Sequence, residues 1–291
     1  MGGKFNKKVY VILVILLVLA VFLWTASFAQ DNQLHIYFYD VGQGDAIYIR
    51  SPKGQDVIID GGPDSTILSK LGRDMPFYDR KIELIILTHP HSDHFSGLID
   101  ILKRYNVDQI LCSDIKSNSA AYKEWEDLVS EMKILKRKAE KGQQIYLGEA
   151  KIEILHAVNK DAEVSDLNDA SIVSRLTFGQ ASVLLMGDAG QNVEKEILAQ
   201  KNELKSNVLK IGHHGSKYSS SSEFLDKVRP QYAIISVGKG NKFGHPHNET
   251  LNRLFEINAK VLRTDNDGDI KCTSDGNKIE CVASGKIDLS N

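Results

Sequence analysis

Three of the nine histidines in this 291-residue chain, His89, His91 and His94, fall within six positions of THPHSDHFSG (88–97), and Asp93 stands beside the third. Imidazole nitrogens and carboxylate oxygens are the donors a borderline divalent ion such as Zn²⁺ or Mn²⁺ accepts. His89 and His91 are two apart at the end of an apolar run, KIELIILT, so on a strand they project to the same side. Asp93 and His94 follow at the start of FSGLIDILKRY, where Leu98, Ile99 and Leu102 recur at helical spacing. Two ligands before the bend and two after it suit one ion or two adjacent ones. The bland alternative is a solvated loop in which Ser92 or Asp93 merely caps the helix; the distant partners below argue against it.

The elements that must carry this loop are legible as patterns. QLHIYFYDV, DAIYIRS and DVIID read as early strands separated by glycine corners, and KIELIILT as a buried strand. Residues 118–133 predict a helix and 144–157 a hairpin turning at Gly148. ASIVSRLTFG and QASVLLMGD predict strands joined at Gly179-Gln180, and a helix follows at 191–202. Strand NVLKIG, helix SSEFLDKV, strand QYAIISVG, helix ETLNRLFEI and short strands at 260–263, 269–274 and 278–283 complete the chain. Strand runs, each finished by helices, predict an α/β fold of two sheets packed face to face with helices outside. No long linker interrupts 31–291, which reads as one catalytic domain.

THPHSDH matches the HxHxDH signature of the metallo-β-lactamase superfamily, whose members are αββα four-layer sandwiches that mostly hydrolyse esters, amides or phosphodiesters at one or two metals. Further stretches resemble the family in order. VIIDGG (57–62) would supply Asp60 to brace the metal loop, LLMGDAG (184–190) the bridging Asp188, and IGHHGS (211–216) a second-metal histidine, His214 or else His213. YDVGQGDA (39–46), VLKIGHHGSKYSSS (208–221) and ISVGKGNKFGHPHNETLNRL (235–254) resemble the hydrolase domain of ComEC-type competence proteins and its free-standing exported relatives. They are also similar to the metal domain of choline-phosphate esterases acting on teichoic acids. The resemblance thus implies His89, His91, Asp93, His94, Asp188 and His214 as metal ligands for Zn²⁺ or Mn²⁺. One departure leaves the number of ions open. His156 is the only histidine between the HxHxDH loop and Asp188, and Asn168 or Asp169 stands where another ligand is expected.

Asp93 is expected to orient a water beside the metal, and Lys210, His213, Ser216 and His245 to hold substrate oxygens or protonate a leaving group. His245, in GHPH after a strand, is also an alternative last ligand. The expected activity is hydrolysis of a phosphodiester, in DNA or a cell-envelope polymer. The alternatives are a carboxylic ester, amide or lactone on the same metals, or an envelope-binding module without activity. GQGD (42–45) lies between strands and opens no helix, so it does not predict a phosphate-cradling loop. DNDGD (265–269) lacks the distal Glu of a calcium loop and predicts a turn.

Residues 1–30 differ in kind. Lys4, Lys7 and Lys8 precede an unbroken apolar run, Val9 to Trp24, and Ser27 and Ala29 offer a cleavage site before Gln30. This is the pattern of a signal peptide, or of a membrane anchor if uncleaved, with everything after residue 30 outside. Removing residues 1–29 takes away three lysines and no acid, leaving 33 basic and 38 acidic side chains, a net of −5. That balance argues against a tight electrostatic grip on nucleic acid without help from a metal. In CTSDGNKIEC, a loop at Gly276-Asn277 places Cys272 opposite Cys281, whereas a loop at Asp275-Gly276 places Ile270 there. The first register is expected, with a disulfide closed in an oxidising exterior and Cys112 left as a buried thiol.

Overall fold

The computed structural model describes residues 7–27, 32–158, 166–200 and 202–284. The chain divides into two units, Met1–Asn32 and Gln33–Asn291. The first holds α1 (Lys7–Ser27), with apolar side chains such as Val9, Ile12, Leu16 and Phe22 exposed. Among the described residues no helix is long and apolar enough to cross a membrane.

In the second unit β-branched and aromatic runs form β1 (Leu34–Phe38), β2 (Ala46–Arg50), β3 (Asp56–Gly61), β4 (Lys81–Leu87), β5 (Asn106–Cys112) and β6 (Leu135–Lys138). Then come β7 (Gln144–Leu147), β8 (Ala150–His156), β9 (Val173–Phe178), β10 (Ala181–Leu185), β11 (Val208–Lys210), β12 (Tyr232–Ile235) and β13 (Lys260–Arg263). The last two strands, β14 (Ile270–Ser274) and β15 (Ile279–Ala283), return to the first sheet, whose order is β15-β14-β1-β2-β3-β4-β5-β6. The second sheet runs β13-β12-β11-β10-β9-β8-β7. Strands β3 to β6 are parallel, and so are β10 to β13.

Strand alternation builds the layers. Val57, Ile59, Leu84 and Ile86 of the first sheet share a core with Val183, Leu185 and Val208 of the second. Ile58 and Ile85 point the other way, under α2 (Thr66–Asp74), α3 (Ser92–Leu102) and α4 (Ala120–Glu131). Leu184 and Leu209 likewise lie under α5 (Gln191–Leu198), α6 (Ser222–Val228) and α7 (Asn248–Glu256). The result is the four-layer α/β/β/α sandwich that the patterns implied. Burying a side chain of this size contributes about 1.5–3 kcal/mol, so the framework rests on these cores rather than on the histidine loop.

Strand β6 and helix α2 were not legible as sequence patterns. Strand β6 reads LKRK and is half-exposed along its length, a sheet edge with no apolar signal. Helix α2 buries only Ile67 and Leu71. Helix α5 ends at Leu198, earlier than expected. DNDGD starts within a single helical turn, Thr264–Asp267, and not a plain turn. The final hairpin adopts the expected register, Cys272 facing Cys281, and the two are disulfide-bonded with Cα atoms 4.0 Å apart; Cys112 is free and buried.

Candidate metal centre

Parallel strands bring their carboxyl ends to one edge, where open α/β sheets collect their ligands. Here the segments after β3, β4, β10, β11 and β12 meet. The end of β3 supplies Asp60, at φ 58°, a left-handed conformation rare for a non-glycine residue. Its carboxylate accepts from the Thr88 amide (2.8 Å), the Thr88 hydroxyl (2.6 Å) and His94 Nδ1 (2.8 Å), tying the loop after β4 to the end of β3. Helix α3 can come this close because Gly97 faces the backbone after β3. A Cβ there would lie 2.1 Å from the Gly61 carbonyl oxygen.

Three imidazoles then point one nitrogen at a single oxygen. Asp188 Oδ2 lies 3.3 Å from His94 Nε2, 3.4 Å from His214 Nε2 and 3.9 Å from His89 Nε2. Each ring is held from behind through Nδ1: His94 by Asp60, His214 by the Ser236 carbonyl (2.8 Å), and His89 by the Thr88 hydroxyl oxygen (3.1 Å), whose own proton goes to Asp60. With Nδ1 so engaged, each ring turns its Nε2 inward. Asp93 Oδ2 stands 3.5 Å from His214 Nε2 and 3.9 Å from His94 Nε2. Ligand atoms of Asp93, His94, Asp188 and His214 all lie within 4.8 Å of one another. His91 sits at the side of this group, its Nδ1 3.0 Å from His89 Nε2.

The electrostatics suit a cation. Burial opposes a charge on His94, yet Asp188 and Asp60 hold it well above the ordinary imidazole range. Burial is likewise overcome at His214, which Asp188 and Asp93 push up to about 10. His89 has no such excess of carboxylates; burial and the neighbouring His94 hold it well below its ordinary value. Burial favours neutral Asp93, but the His214 ring 3.5 Å away, with His94 beyond it, brings it down to about 2. His94 Nε2, His214 Nε2 and Asp188 Oδ1 are buried with no hydrogen-bond partner. Such atoms are costly unless something is bound to them. Two imidazole nitrogens and two carboxylates are a complete tetrahedral donor set for Zn²⁺ and an acceptable one for Mn²⁺, so the residues fit the group.

The remaining candidates fall differently. Lys210 does not reach the substrate side. It is fully buried, its Nζ 2.8 Å from Asp45 Oδ2 and donating to the Ile211 carbonyl at 2.8 Å. The reason is parity: Lys210 shares a face with Val208, and that face looks into the core between the sheets. Ser216 is also buried, its hydroxyl accepting from the Tyr218 amide. His213 lines a cleft of about 320 Å³ together with Asp188, Asn168, Asp169, Lys195 and Tyr218. His245 stands 5.4 Å from the His213 ring and 6.4 Å from the His214 ring, outside the converging ligand atoms. Burial lowers His213, and burial with His213 and His214 brings His245 down to about 4. Both rings are therefore neutral near pH 7 and suited to holding oxygens rather than to donating a proton as imidazolium. His156 turns away, with Nδ1 on the Ser171 carbonyl at 3.0 Å and Nε2 3.3 Å from Glu196. Neither Ser92 nor Asp93 caps α3; His91 occupies that position without a side-chain bond.

Sequence reasoning missed Asp45. In GQGD the glycine at 44 matters for packing, since a Cβ there would meet the Asp93 carbonyl oxygen at 2.2 Å. The next residue, Asp45, is buried beside His214, with Oδ1 3.5 Å from its Nδ1. Asp45 stands directly before β2 in YDVGQGDA, a phrase that marked the family resemblance, but nothing in it pointed to His214 or Lys210.

Residues 39–239 match the metallo-β-lactamase superfamily, and the chain belongs to it. Within that family it is similar to ComE operon protein 3 of Bacillus subtilis, 28% identical over 249 residues, which cover 80% of this chain and 32% of that protein. Competence protein ComA of Neisseria gonorrhoeae is 28% identical over 243 residues, covering 82% of this chain and 32% of its own length. The chain therefore spans about a third of these relatives. The fold is shared with YhfI, a metallo-β-lactamase fold protein of Bacillus subtilis, at a TM-score of 0.55 and 12% identity over 85% of this chain and 99% of that one.

Proposed function

We propose that this chain is an exported, metal-dependent hydrolase of phosphodiesters, with DNA or a cell-envelope phosphodiester as its substrate. One observation carries the reading: three inward-facing Nε2 atoms, each anchored behind, surround the Asp188 carboxylate. His94, His214, Asp93 and Asp188 would hold one ion, and His89 and His91, with Asp188, a second. A divalent ion supplies Lewis acidity toward a phosphoryl oxygen and brings the pKa of water toward neutrality. Asp93, whose side chain is partly exposed and stays ionised, accepts a hydrogen bond from the attacking water and orients it. His213 and His245, both neutral, offer a donor and an acceptor each to substrate oxygens. The cleft beside Asp188 is lined by Asn168, Gln191, Asn192 and Lys195, polar groups that suit a charged substrate better than an acyl chain.

Export is supported by Lys7 and Lys8 ahead of the exposed apolar face of α1, read as a signal or membrane anchor. A disulfide in the second unit agrees with an oxidising compartment. The test is a substrate panel on the purified chain with Zn²⁺ or Mn²⁺: bis-p-nitrophenyl phosphate, p-nitrophenylphosphorylcholine and p-nitrophenyl acetate. Cleavage of the phosphodiesters is expected. Cleavage of the acetate alone replaces this reading with an esterase, and no cleavage by metal-loaded protein replaces it with a binding module.

A further inference from the structure

Lysine is rarely buried outright, because its ammonium must be paired away from water. Lys210 is 0% exposed and its partner Asp45 1% exposed. The pair lies directly behind a ligand. Asp45 presents Oδ2 to Lys210 Nζ at 2.8 Å and Oδ1 to His214 Nδ1 at 3.5 Å. The His214 Nδ1 proton nevertheless goes to the neutral Ser236 carbonyl at 2.8 Å. A carboxylate is the stronger acceptor, since charge-assisted hydrogen bonds are roughly twice as strong as neutral ones. Something must hold Asp45 out of that competition, and Lys210 is placed to do so. His94 shows the other arrangement, for its Nδ1 is bonded to the Asp60 carboxylate at 2.8 Å. The two histidines of one ligand set therefore have unlike backing, one a carboxylate and one a carbonyl.

We propose that Lys210 and Asp45 are positioning residues: by neutralising Asp45, Lys210 keeps His214 on the Ser236 carbonyl and so sets how strongly that imidazole binds the metal. The proposal rests on the metal-centre reading above. It makes a prediction of sign that mere structural support would not. With Lys210→Met, the freed Asp45 carboxylate takes the Nδ1 proton, makes Nε2 a stronger donor and leaves an uncompensated negative charge near the ion. Zn²⁺ affinity rises. With Asp45→Asn, the unpaired ammonium opposes the ion and affinity falls. With both substitutions the charges leave together, and the Ser236 carbonyl remains the partner.

The experiment is Zn²⁺ titration of the full chain against a competing chelator, with melting curves to confirm folding. Changes of about tenfold in opposite directions are expected for the two single variants, the size that outer-shell partners of metal ligands show. The double variant should lie within about threefold of wild type. Weakening in all three, or a double variant weaker than either single one, overturns the proposal. If Lys210→Met does not fold, the double variant decides, since it buries no unpaired charge; a loss beyond tenfold there overturns the pair's role. The His214 Nδ1 proton resonance supplies a second readout, moving downfield in Lys210→Met as a carboxylate replaces a carbonyl. A wild-type chain that binds no Zn²⁺ sinks the metal centre itself, an outcome read before any variant is made.

Discussion

Asp93 and His94 adjoin in sequence and face the same centre, yet removing them should cost different things. The Asp93 side chain is 31% exposed and reaches His214 at 3.5 Å. Asp93→Asn should lower bound metal and reduce hydrolysis about 100-fold or more, beyond the loss typical of an outer partner. Its melting point should hold, as expected of a substitution outside the core. His94 is fully buried on Asp60. His94→Ala leaves that carboxylate without its imidazole, and breaking such a buried pair costs about 3–5 kcal/mol. Urea unfolding of the two metal-free variants separates these cases; equal midpoints would mean that Asp60 does not brace the loop. Asp188 is the hub, within 3.3–3.9 Å of three imidazoles. Elemental analysis should therefore find less metal per chain in Asp188→Ala than in His89→Ala. Equal losses would mean a single ion or independent sites.

At the level of elements, the centre depends on how closely α3 approaches the end of β3. Gly97 is the point of contact, where a Cβ would stand 2.1 Å from the Gly61 carbonyl oxygen and 2.5 Å from that of Asp64. Alanine normally favours a helix over glycine by about 1 kcal/mol. Here the overpacking should reverse that sign, with a net loss of about 1–3 kcal/mol. Because the first turn of α3 carries Asp93 and His94, Gly97→Ala should also release metal, whereas Gly72→Ala, in α2 with nothing within 4 Å, should stabilise by a few tenths to about 1 kcal/mol. Thermal melts with metal titration check both. Elements with a strong apolar pattern were legible from what they bury: KIELIILT for β4 is covered on both faces from Leu84 to Leu87, and SSEFLDKV for α6 buries one face. The edge strand LKRK was not, because pairing on one side only asks for no apolar face.

Across the whole molecule, the last hairpin returns to β1, so the Cys272–Cys281 bond closes the edge of the first sheet rather than a loop near the metal. Thiol counting on unfolded, unreduced protein should find one reactive thiol, Cys112; three would show that the bond does not form. In the folded protein burial pushes the Cys112 thiol up to about 11, so it should react slowly. The sequence by itself determined what is local: ligand types crowded where a strand becomes a helix, and the strand and helix periods that imply two covered sheets. It also held the parity that turns Lys210 inward with Val208, although the residue type suggested the opposite. Only the tertiary structure decided between His213 and His214, adjacent residues at φ 48° and 53°, of which the second faces Asp188. That choice depends on left-handed backbone angles held by the neighbouring loop, where the His247 amide donates to the Gly215 carbonyl. The meeting of Asp45 with Lys210 and His214 was equally out of reach. It joins residues more than 160 positions apart through the packing of one sheet on the other, a contact that no local period encodes.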